Sequence, residues 1–180
     1  FQKIFAENFL MALNKIKLCL ERYHITINFK KTFAEIEILT YRFIKDLIKR
    51  DEKKFQKNEE IFSKILLKEN FIKSILLVST ECVLFHNDSA DVTFTKLASK
   101  EFLDLDLFDF WKILNPLVNL VGIMDNNVSL FLFEIELLLI TFLLWKNSEK
   151  FKKEFNKFLD TKDFDCKFSF IFFYFLLLNY

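Results

Sequence analysis

The sequence has almost none of the residues that make tight turns: it contains one glycine and one proline in 180 residues. Because sheets of many short strands need such residues at their turns, this scarcity favours long helices over a turn-rich β fold. The chain is 52% hydrophobic and 28% charged, which is typical of a folded protein and excludes a disordered one. At this length it fits one domain whose core needs no disulfide or metal. We therefore predict an all-α protein.

The chain also has few cysteines and almost no net charge. Cys19, Cys82 and Cys166 are odd in number, lie far apart and form no CxxC pair, so they indicate neither a disulfide framework nor a zinc site. Such cysteines are typical of a reducing compartment. A formal charge of +1 is not the broad basic surface that binding to a phosphate backbone requires. We expect no direct contact with nucleic acid, and no metal or cofactor.

An enzyme is disfavoured because the sequence has only two histidines and no glycine-rich phosphate loop. His86, Asp88 and Ser89, in the segment HNDSADVT, do have the residue types of a catalytic triad. Neighbours in one loop rarely place a nucleophile, a base and an orienting acid correctly, so a turn is the better interpretation. We predict no catalytic residues.

Three aspartates surround the start of the segment FDFWK. Asp104, Asp106 and Asp109 could be metal ligands, but no glycine-bearing calcium loop surrounds them. Asp104 or Asp106 can instead cap a helix whose apolar face begins at Leu107, since acids are favourable near a helix N-terminus. Pro116 is expected to kink or end this helix.

Apolar residues recur at helical spacing in three earlier segments. The first segment carries six of them: Phe5, Phe9, Ala12, Leu13, Ile16 and Leu20. A polar break at residues 28–32 then precedes a second helix, predicted from Phe33 to Ile48. The third helix begins near Glu69 and Asn70 and is apolar almost all round after its first turn, which is typical of the central helix of a bundle.

Two segments are apolar enough to raise the alternative of a membrane-associated helical protein. Residues 129–145 are nearly as long as the roughly 20 residues that span a bilayer. Two glutamates interrupt them, and each costs about 3 kcal/mol at membrane depth, so a buried bundle helix is favoured. The segment from Phe168 to Leu178 is short for a span, which leaves a strand, an interfacial anchor and a translated non-coding stretch open.

Arg42, Lys45 and Lys49 form a basic stripe on the second predicted helix. Their i, i+3 and i+7 spacing places them on one narrow face. A solvated surface and a binding surface for an acidic partner are both compatible with this pattern.

Three motifs occur in order along the chain: LTYRFIKDLIKRDEKKF, FSKILLKENFIKSILLVSTECVL and FLDLDLFDFWK. They resemble, in the same order, segments of the A domain of the retinoblastoma pocket. The third is similar to the family's Leu-x-Leu-x-x-Phe-Asp-Phe-Tyr-Lys, with Trp111 where tyrosine is usual, and Trp145 stands where the family's Leu-Ala-Trp motif places its tryptophan. The resemblance extends from about Thr32 to Leu159.

This resemblance implies a cyclin-like helical bundle with an additional N-terminal helix at residues 1–160, followed by a Phe-rich tail at 161–180. It implies a non-catalytic, nuclear regulator of cell-cycle transcription, whose A domain pairs with a B domain of the same protein and binds the activation peptide of a transcription factor. In isolation such a domain is expected to self-associate through its exposed pairing face. Since neither an initiator methionine nor a signal peptide opens the chain, we expect a fragment of a longer product.

The resemblance assigns four residues to peptide binding, namely Arg42, Lys49, Lys112 and Glu136. The same groove also contains positions that depart from the family. Asn115 and Asn119 stand where the family has an acid and a lysine, and Leu130 and Phe133 replace a lysine and a glutamate. These departures leave a further interpretation open, a cyclin-like scaffold that has lost peptide binding.

Overall fold

The computed structural model describes residues 2–23, 27–50, 67–87, 94–121 and 126–145 of the chain. These residues form six α-helices and contain no strand: α1 Gln2–Arg22, α2 Phe29–Arg50, α3 Glu69–His86, α4 Phe94–Leu97, α5 Leu107–Val121 and α6 Asn126–Trp145. The prediction of an all-α protein is confirmed. The segment 88–93, which includes Asp88 and Ser89, and the tail from Phe168 to Leu178 lie outside the described residues.

Helix α1 buries the face that its apolar spacing predicts. Phe9, Ala12, Leu13, Ile16 and Leu20 are all buried, because positions three and four apart lie on one side of a helix. The opposite side carries lysines and glutamates that pair along the helix. This helix contacts α3 through its buried face and therefore belongs to the core.

Helix α2 begins at Phe29, four residues before the predicted start at Phe33. Asn28 caps it: the side-chain Oδ1 accepts a hydrogen bond from the backbone N–H of Lys31 at 3.3 Å, and its carbonyl accepts one from Thr32 at 2.9 Å. The polar residues after Asn28 therefore form the first turn of the helix and not a break. Thr32 itself is buried, together with Ile36, on the face that packs against α3.

Helix α3 is the central helix, as its continuous apolar pattern predicts. Every residue from Ile72 to Leu84 is buried, and α3 packs against α1, α2 and α5. The hydroxyls of Ser79 and Thr80 donate hydrogen bonds to the carbonyls of Ile75 and Leu76 one turn earlier. Because these bonds satisfy the buried hydroxyls within the helix, the polar residues do not interrupt the core.

Glu81 is the exception to this satisfied interior. It is only 3% exposed, and its Oε1 has no hydrogen-bond partner among the described residues. Burial raises the pKa of this carboxyl to about 8, because a low-dielectric site disfavours the charged form. The central helix thus carries a carboxyl group that holds its proton at neutral pH.

Two side-chain hydrogen bonds give the direction of the helices around α3. Asn87, just after the end of α3, donates to Glu35 near the start of α2 at 3.3 Å. Asn70, near the start of α3, donates to Asp109 near the start of α5 at 3.0 Å. Since α2 starts at the end of α3 and packs along it, its second half runs towards the beginning of α3. The basic half of α2 and the first turns of α5 therefore lie at the same end of α3.

Helix α5 is capped by Asp106, one of the two residues predicted for this role. Its Oδ1 accepts hydrogen bonds from the backbone N–H groups of Phe108 and Asp109, both at 2.9 Å. Asp104 is exposed, with a positive φ of 47°, in the loop before the helix. In the part of the chain that the structure describes, no group of three His, Cys, Asp or Glu side chains could hold a metal ion.

Pro116 does not end α5, which continues to Val121. A proline inside a helix costs about 3 kcal/mol, because it removes one backbone hydrogen bond and crowds the preceding turn. Leu114, Leu117 and Val118, on both sides of it, are all buried, and each such side chain contributes about 1.5–3 kcal/mol. Burial on both sides of Pro116 therefore outweighs the local cost of the proline.

The chain divides into two compact units, residues 1–136 and residues 137–180. Of the second unit the structure describes residues 137–145, which are the last part of α6. Within the described ranges no helix is both long and apolar enough to cross a membrane. Residues 129–145 are helical throughout, as their pattern predicts.

Candidate functional site

One long face of α2 is exposed along its whole length. At about 100° per residue, its members lie within an arc of about 100°. We call this surface the α2 outer face; all its members are exposed, and they are Lys31, Ala34, Ile38, Tyr41, Arg42, Lys45 and Lys49. The acidic residues of α2, which are Glu35, Glu37 and Asp46, lie outside this arc. The α2 outer face therefore combines positive charge with apolar surface and carries no carboxylate.

The basic stripe of this face has no ion-pair partner among the described residues. None of Arg42, Lys45 and Lys49 takes part in a salt bridge there, although Asp46 lies one turn after Arg42. Four lysines elsewhere on α1, α2 and α3 do pair with a glutamate one turn away: Lys3 with Glu7, Lys17 with Glu21, Lys31 with Glu35 and Lys73 with Glu69. The three cations of the stripe are thus available to an external anionic group.

The middle of the α2 outer face is apolar, a feature that the charge pattern alone did not predict. Ile38 is 69% exposed and Tyr41 is 54% exposed. The Tyr41 ring stacks on the ring of Phe9 in α1, with centroids 5.5 Å apart. The signal was present in the sequence, because Ile38 stands one turn before Arg42 and Tyr41 precedes Arg42 directly.

Lys112 lies on the second turn of α5 and is exposed. Its Nζ lies 4.4 Å from the centroid of the Phe108 ring, a cation–π contact. Phe108, Phe110 and Trp111 are all buried, so the segment FDFWK packs its aromatics inward and turns its lysine outward, as expected from the sequence. Since α2 contacts α5, Lys112 and the basic stripe lie on neighbouring helices at the same end of α3.

Glu136 is placed differently from the three predicted cations. It is only 4% exposed, and its Oε1 accepts a hydrogen bond from the Asn115 side chain at 2.7 Å. Asn115 is one of the positions at which the sequence departs from the pattern it resembles, where an acid is expected. An acid here would put two carboxyl groups at hydrogen-bonding distance, whereas the amide donates a hydrogen bond that satisfies the buried carboxyl oxygen of Glu136. The sequence does not reveal this pairing, because the two residues lie on different helices.

The other departures lie on α6 or outside the described side chains. Leu130 is 63% exposed and Phe133 is half-buried, whereas the side chain of Asn119 is not among those described. Leu130 lines an open groove of about 530 Å³ together with Phe85 and Phe131, whose rings stack with centroids 4.4 Å apart. Where a lysine and a glutamate are expected, α6 therefore carries two apolar side chains, of which Leu130 faces this groove.

The arrangement can bind but has no constellation for catalysis in the described residues. Its exposed charged groups are the three cations of the basic stripe on α2 and Lys112 on the neighbouring helix α5. Arginine and lysine side chains carry a permanent or near-permanent positive charge. His86 is exposed at the end of α3, in a groove with Glu134, with no nucleophile among the residues that line it. The cations of this surface can attract carboxylates of a partner, and its exposed apolar residues can contact apolar side chains that lie next to those carboxylates.

Comparison with protein-family models gives one match over most of the chain. The model of the retinoblastoma-associated protein A domain matches residues 2–153, which include all six helices. Neither a curated protein nor a solved structure matches the chain. Because the family model covers far more than half of the sequence and agrees with the all-helical architecture, the chain belongs to the family of the retinoblastoma-associated protein A domain, with its cyclin-like helical fold.

Proposed function

We propose that this chain is a non-catalytic peptide-binding domain, and that the α2 outer face with Lys112 binds an acidic, partly apolar activation segment of a cell-cycle transcription factor. The family is one of pocket domains in transcriptional regulators, in which an A domain generally pairs with a B domain. For this chain the peptide, the B-domain partner and a nuclear location are part of the proposal.

The observation that supports this function most is the unpaired basic stripe. Arg42, Lys45 and Lys49 stand on one exposed face without a carboxylate partner among the described residues. Three like charges within two turns repel one another, so the surface gains free energy when an anionic segment neutralises it. A peptide with several acidic side chains satisfies this requirement, and a neutral ligand does not.

The four predicted contact residues have different parts in this proposal. Arg42, Lys49 and Lys112 are exposed and meet the peptide directly. Glu136 is buried beneath Asn115, so it acts by holding the Asn115 side chain in place and not by direct contact. Rim charges of this kind mainly speed association and make it sensitive to salt, while apolar anchors supply most of the affinity.

A double charge reversal tests the proposal. The variant Arg42→Glu/Lys49→Glu is compared with Lys3→Glu/Lys17→Glu, which changes the net charge equally but lies on α1. The probe is a fluorescent peptide of glutamates, aspartates and two leucines, measured by anisotropy at about 20 mM and about 300 mM salt, where screening differs severalfold. We expect the α2 variant to lose at least about 10-fold in affinity at low salt, and the α1 variant to lose little. Equal binding by all three proteins would contradict the proposal.

A scaffold that has kept the fold and lost peptide binding is the second candidate. It is favoured by Asn115, which stands where an acid is expected, and by the exposed Leu130, which stands where a lysine is expected. The same titration separates the two functions. If the wild-type chain binds the acidic peptide no better than it binds a neutral peptide of equal length, the scaffold is the better interpretation.

Pairing with a B domain has a test of its own. Several large apolar side chains are exposed, among them Leu10, Met11 and Leu130, and surface of this kind is normally covered in an obligate complex. We expect the isolated chain to self-associate in sedimentation experiments and to bind a hydrophobic dye. A clean monomer that binds no dye would count against the pairing.

A further inference from the structure

From the exposed apolar patch in the middle of the α2 outer face, we infer that Ile38 and Tyr41 form an anchor site for an apolar side chain of the same acidic peptide. The inference rests on the proposed function and adds to it: the partner is a peptide in which an apolar residue lies a short, fixed distance from a cluster of acids. Neither residue belongs to the four groove positions assigned above.

The exposure of Ile38 and Tyr41 is the first argument. Ile38, at 69% exposed, is the most exposed of the large hydrophobic residues in the described ranges, and Tyr41 lies on the same face at 54%. An exposed isoleucine in a helix gains nothing from propensity, since Ala, Lys or Glu would favour the helix more. Two such residues side by side, next to three cations, form a patch rather than a scattered pair.

The order of Tyr41 is the second argument. Its ring stacks on Phe9, which is 4% exposed, and the Phe9 ring in turn stacks on Phe5 with centroids 6.1 Å apart. A ring that is already held against the core loses little conformational entropy when a ligand covers it. Tyr41 thus offers a preformed apolar surface, of the residue type that is enriched among interface anchors.

Charge complementarity decides which occupant fits this patch. The apolar residues share their face with Arg42, Lys45 and Lys49 and with no carboxylate, so a second copy of the same positive face would be repelled. A helix or strand with only apolar contacts would leave three desolvated cations without partners, which is costly. An acidic segment that carries an apolar residue satisfies both halves of the surface.

Helix geometry also gives the spacing within the partner. Ile38 and Lys45 lie seven residues apart, which corresponds to about 10 Å at 1.5 Å per residue. An extended peptide covers that distance in about three residues, since each residue spans at most about 3.3–3.6 Å. A helical peptide would need about seven residues for the same distance.

The test combines one variant, one control and two peptides. Ile38→Ala removes the most exposed anchor without harm to the helix, and Leu18→Ala, at a residue 60% exposed on α1, is the matched control. The first peptide has leucine and phenylalanine three residues from four acids, and the second has alanine at both apolar positions. Affinities of the full 180-residue chain are measured by anisotropy at low and high salt.

We expect Ile38→Ala to weaken the first peptide by about 5- to 10-fold at both salt concentrations, because apolar contact is not screened. The second peptide should bind weakly to the wild type and equally weakly to Ile38→Ala, and this coupling between the two changes identifies the contact. Leu18→Ala should change neither affinity. Circular dichroism checks that each variant remains helical.

Three other outcomes would each contradict the inference, and each has a different meaning. If Ile38→Ala binds both peptides normally while Arg42→Glu/Lys49→Glu does not, the anchor is wrong and the proposed function stands. If Ile38→Ala alters sedimentation but not peptide affinity, the patch is covered by a second copy. If the wild-type chain binds neither peptide, both the anchor and the proposed function are wrong.

Discussion

Helices α2 and α3 pack against each other, but they differ in how much of their surface is buried. In α3 every residue from Ile72 to Leu84 is buried, and even its hydroxyls are satisfied inside the helix. In α2 only one side is buried, and the opposite side carries four cations and two large apolar residues in contact with solvent. A substitution in α3 therefore acts on the core of the fold, whereas one on the α2 outer face changes exposed surface, which in the proposed function binds the peptide.

The two helices also differ in where their ionisable side chains lie. Helix α2 keeps its cations in water, where hydration and salt screen their mutual repulsion and they remain available to a partner. Helix α3 holds one carboxyl group, Glu81, where water does not reach it, and burial raises its pKa to about 8. The exposed charges of α2 are thus accessible to a partner, whereas the buried carboxyl group of α3 has a cost in stability when it ionises.

The largest expected effect concerns Glu81 and the pH. In the folded state this carboxyl keeps its proton up to about pH 8, whereas in the unfolded chain it releases the proton above the ordinary glutamate pKa of 4.5. The folded state therefore binds more protons in this window, so stability falls as the pH rises from 4.5 to 8. The full loss is about 5 kcal/mol at most, and Glu81→Gln, which cannot ionise, should remove this dependence. Urea unfolding across the window measures it.

Two other groups with shifted pKa values titrate outside this pH window, so they do not contribute to the pH dependence that is assigned to Glu81. Burial raises the pKa of the Cys19 thiol to about 11, so this group affects stability only above the ordinary cysteine value of 9.0. The hydrogen bond from Lys73 lowers the pKa of Glu69, so this group affects stability only below the ordinary glutamate value of 4.5. A Glu81→Gln protein with the same slope as the wild type between pH 5 and 8 would show that Glu81 is ionised in the folded state.

The next largest effect on stability is expected from an alanine substitution in α3, which is compared with one on α2. Leu76→Ala removes a side chain that is completely buried in α3, so it should cost about 2–5 kcal/mol through lost transfer free energy and a cavity. Ile38→Ala removes an exposed side chain from α2 and should change stability by less than about 0.5 kcal/mol. Chemical denaturation of both variants checks this. Equal losses would mean that the α2 outer face is covered in the isolated chain.

A smaller effect is expected where α5 meets α6. Asn115→Asp replaces an amide donor by a carboxylate next to the buried Glu136, and should destabilise the fold by about 1–3 kcal/mol near neutral pH. Asn87→Asp makes the same change in an exposed pair, where the Asn87 amide donates to Glu35, and should cost less than about 1 kcal/mol. Thermal unfolding compares them. If both variants lose the same stability, the burial of Glu136 has no part in the effect.

Much of this architecture could be predicted from the sequence, because it depends on local pattern. The central position of α3, the cap at Asp106 and the inward aromatics of FDFWK all follow from spacing within one segment. The predicted start of α2 was wrong, since the cap at Asn28 outweighed the local polarity. Pro116 was expected to kink or end α5, and it does not end this helix, because side chains on both sides of the proline are buried.

The candidate site was predicted less completely than the fold. Arg42 and Lys49 are exposed as expected, because a stripe of cations rarely finds enough partners to be buried. The burial of Glu136 depends on Asn115, which lies 21 residues earlier and on another helix. A single sequence cannot pair such residues, since only the packing of the helices brings the two side chains together.

The charge reversal on α2, which should weaken peptide binding most, is expected to have the smallest effect on stability. Arg42→Glu/Lys49→Glu changes two exposed side chains of α2 that have no ion-pair partner among the described residues, so no salt bridge there is lost. Lys49 lies in the last turn, where a glutamate meets the negative end of the helix, so the cost should be up to about 1 kcal/mol. Denaturation at low and high salt measures this, with Lys3→Glu/Lys17→Glu as the control of equal charge. A loss of several kcal/mol would show that the stripe supports the fold, and the separation between a stabilising α3 and a binding α2 would then be wrong.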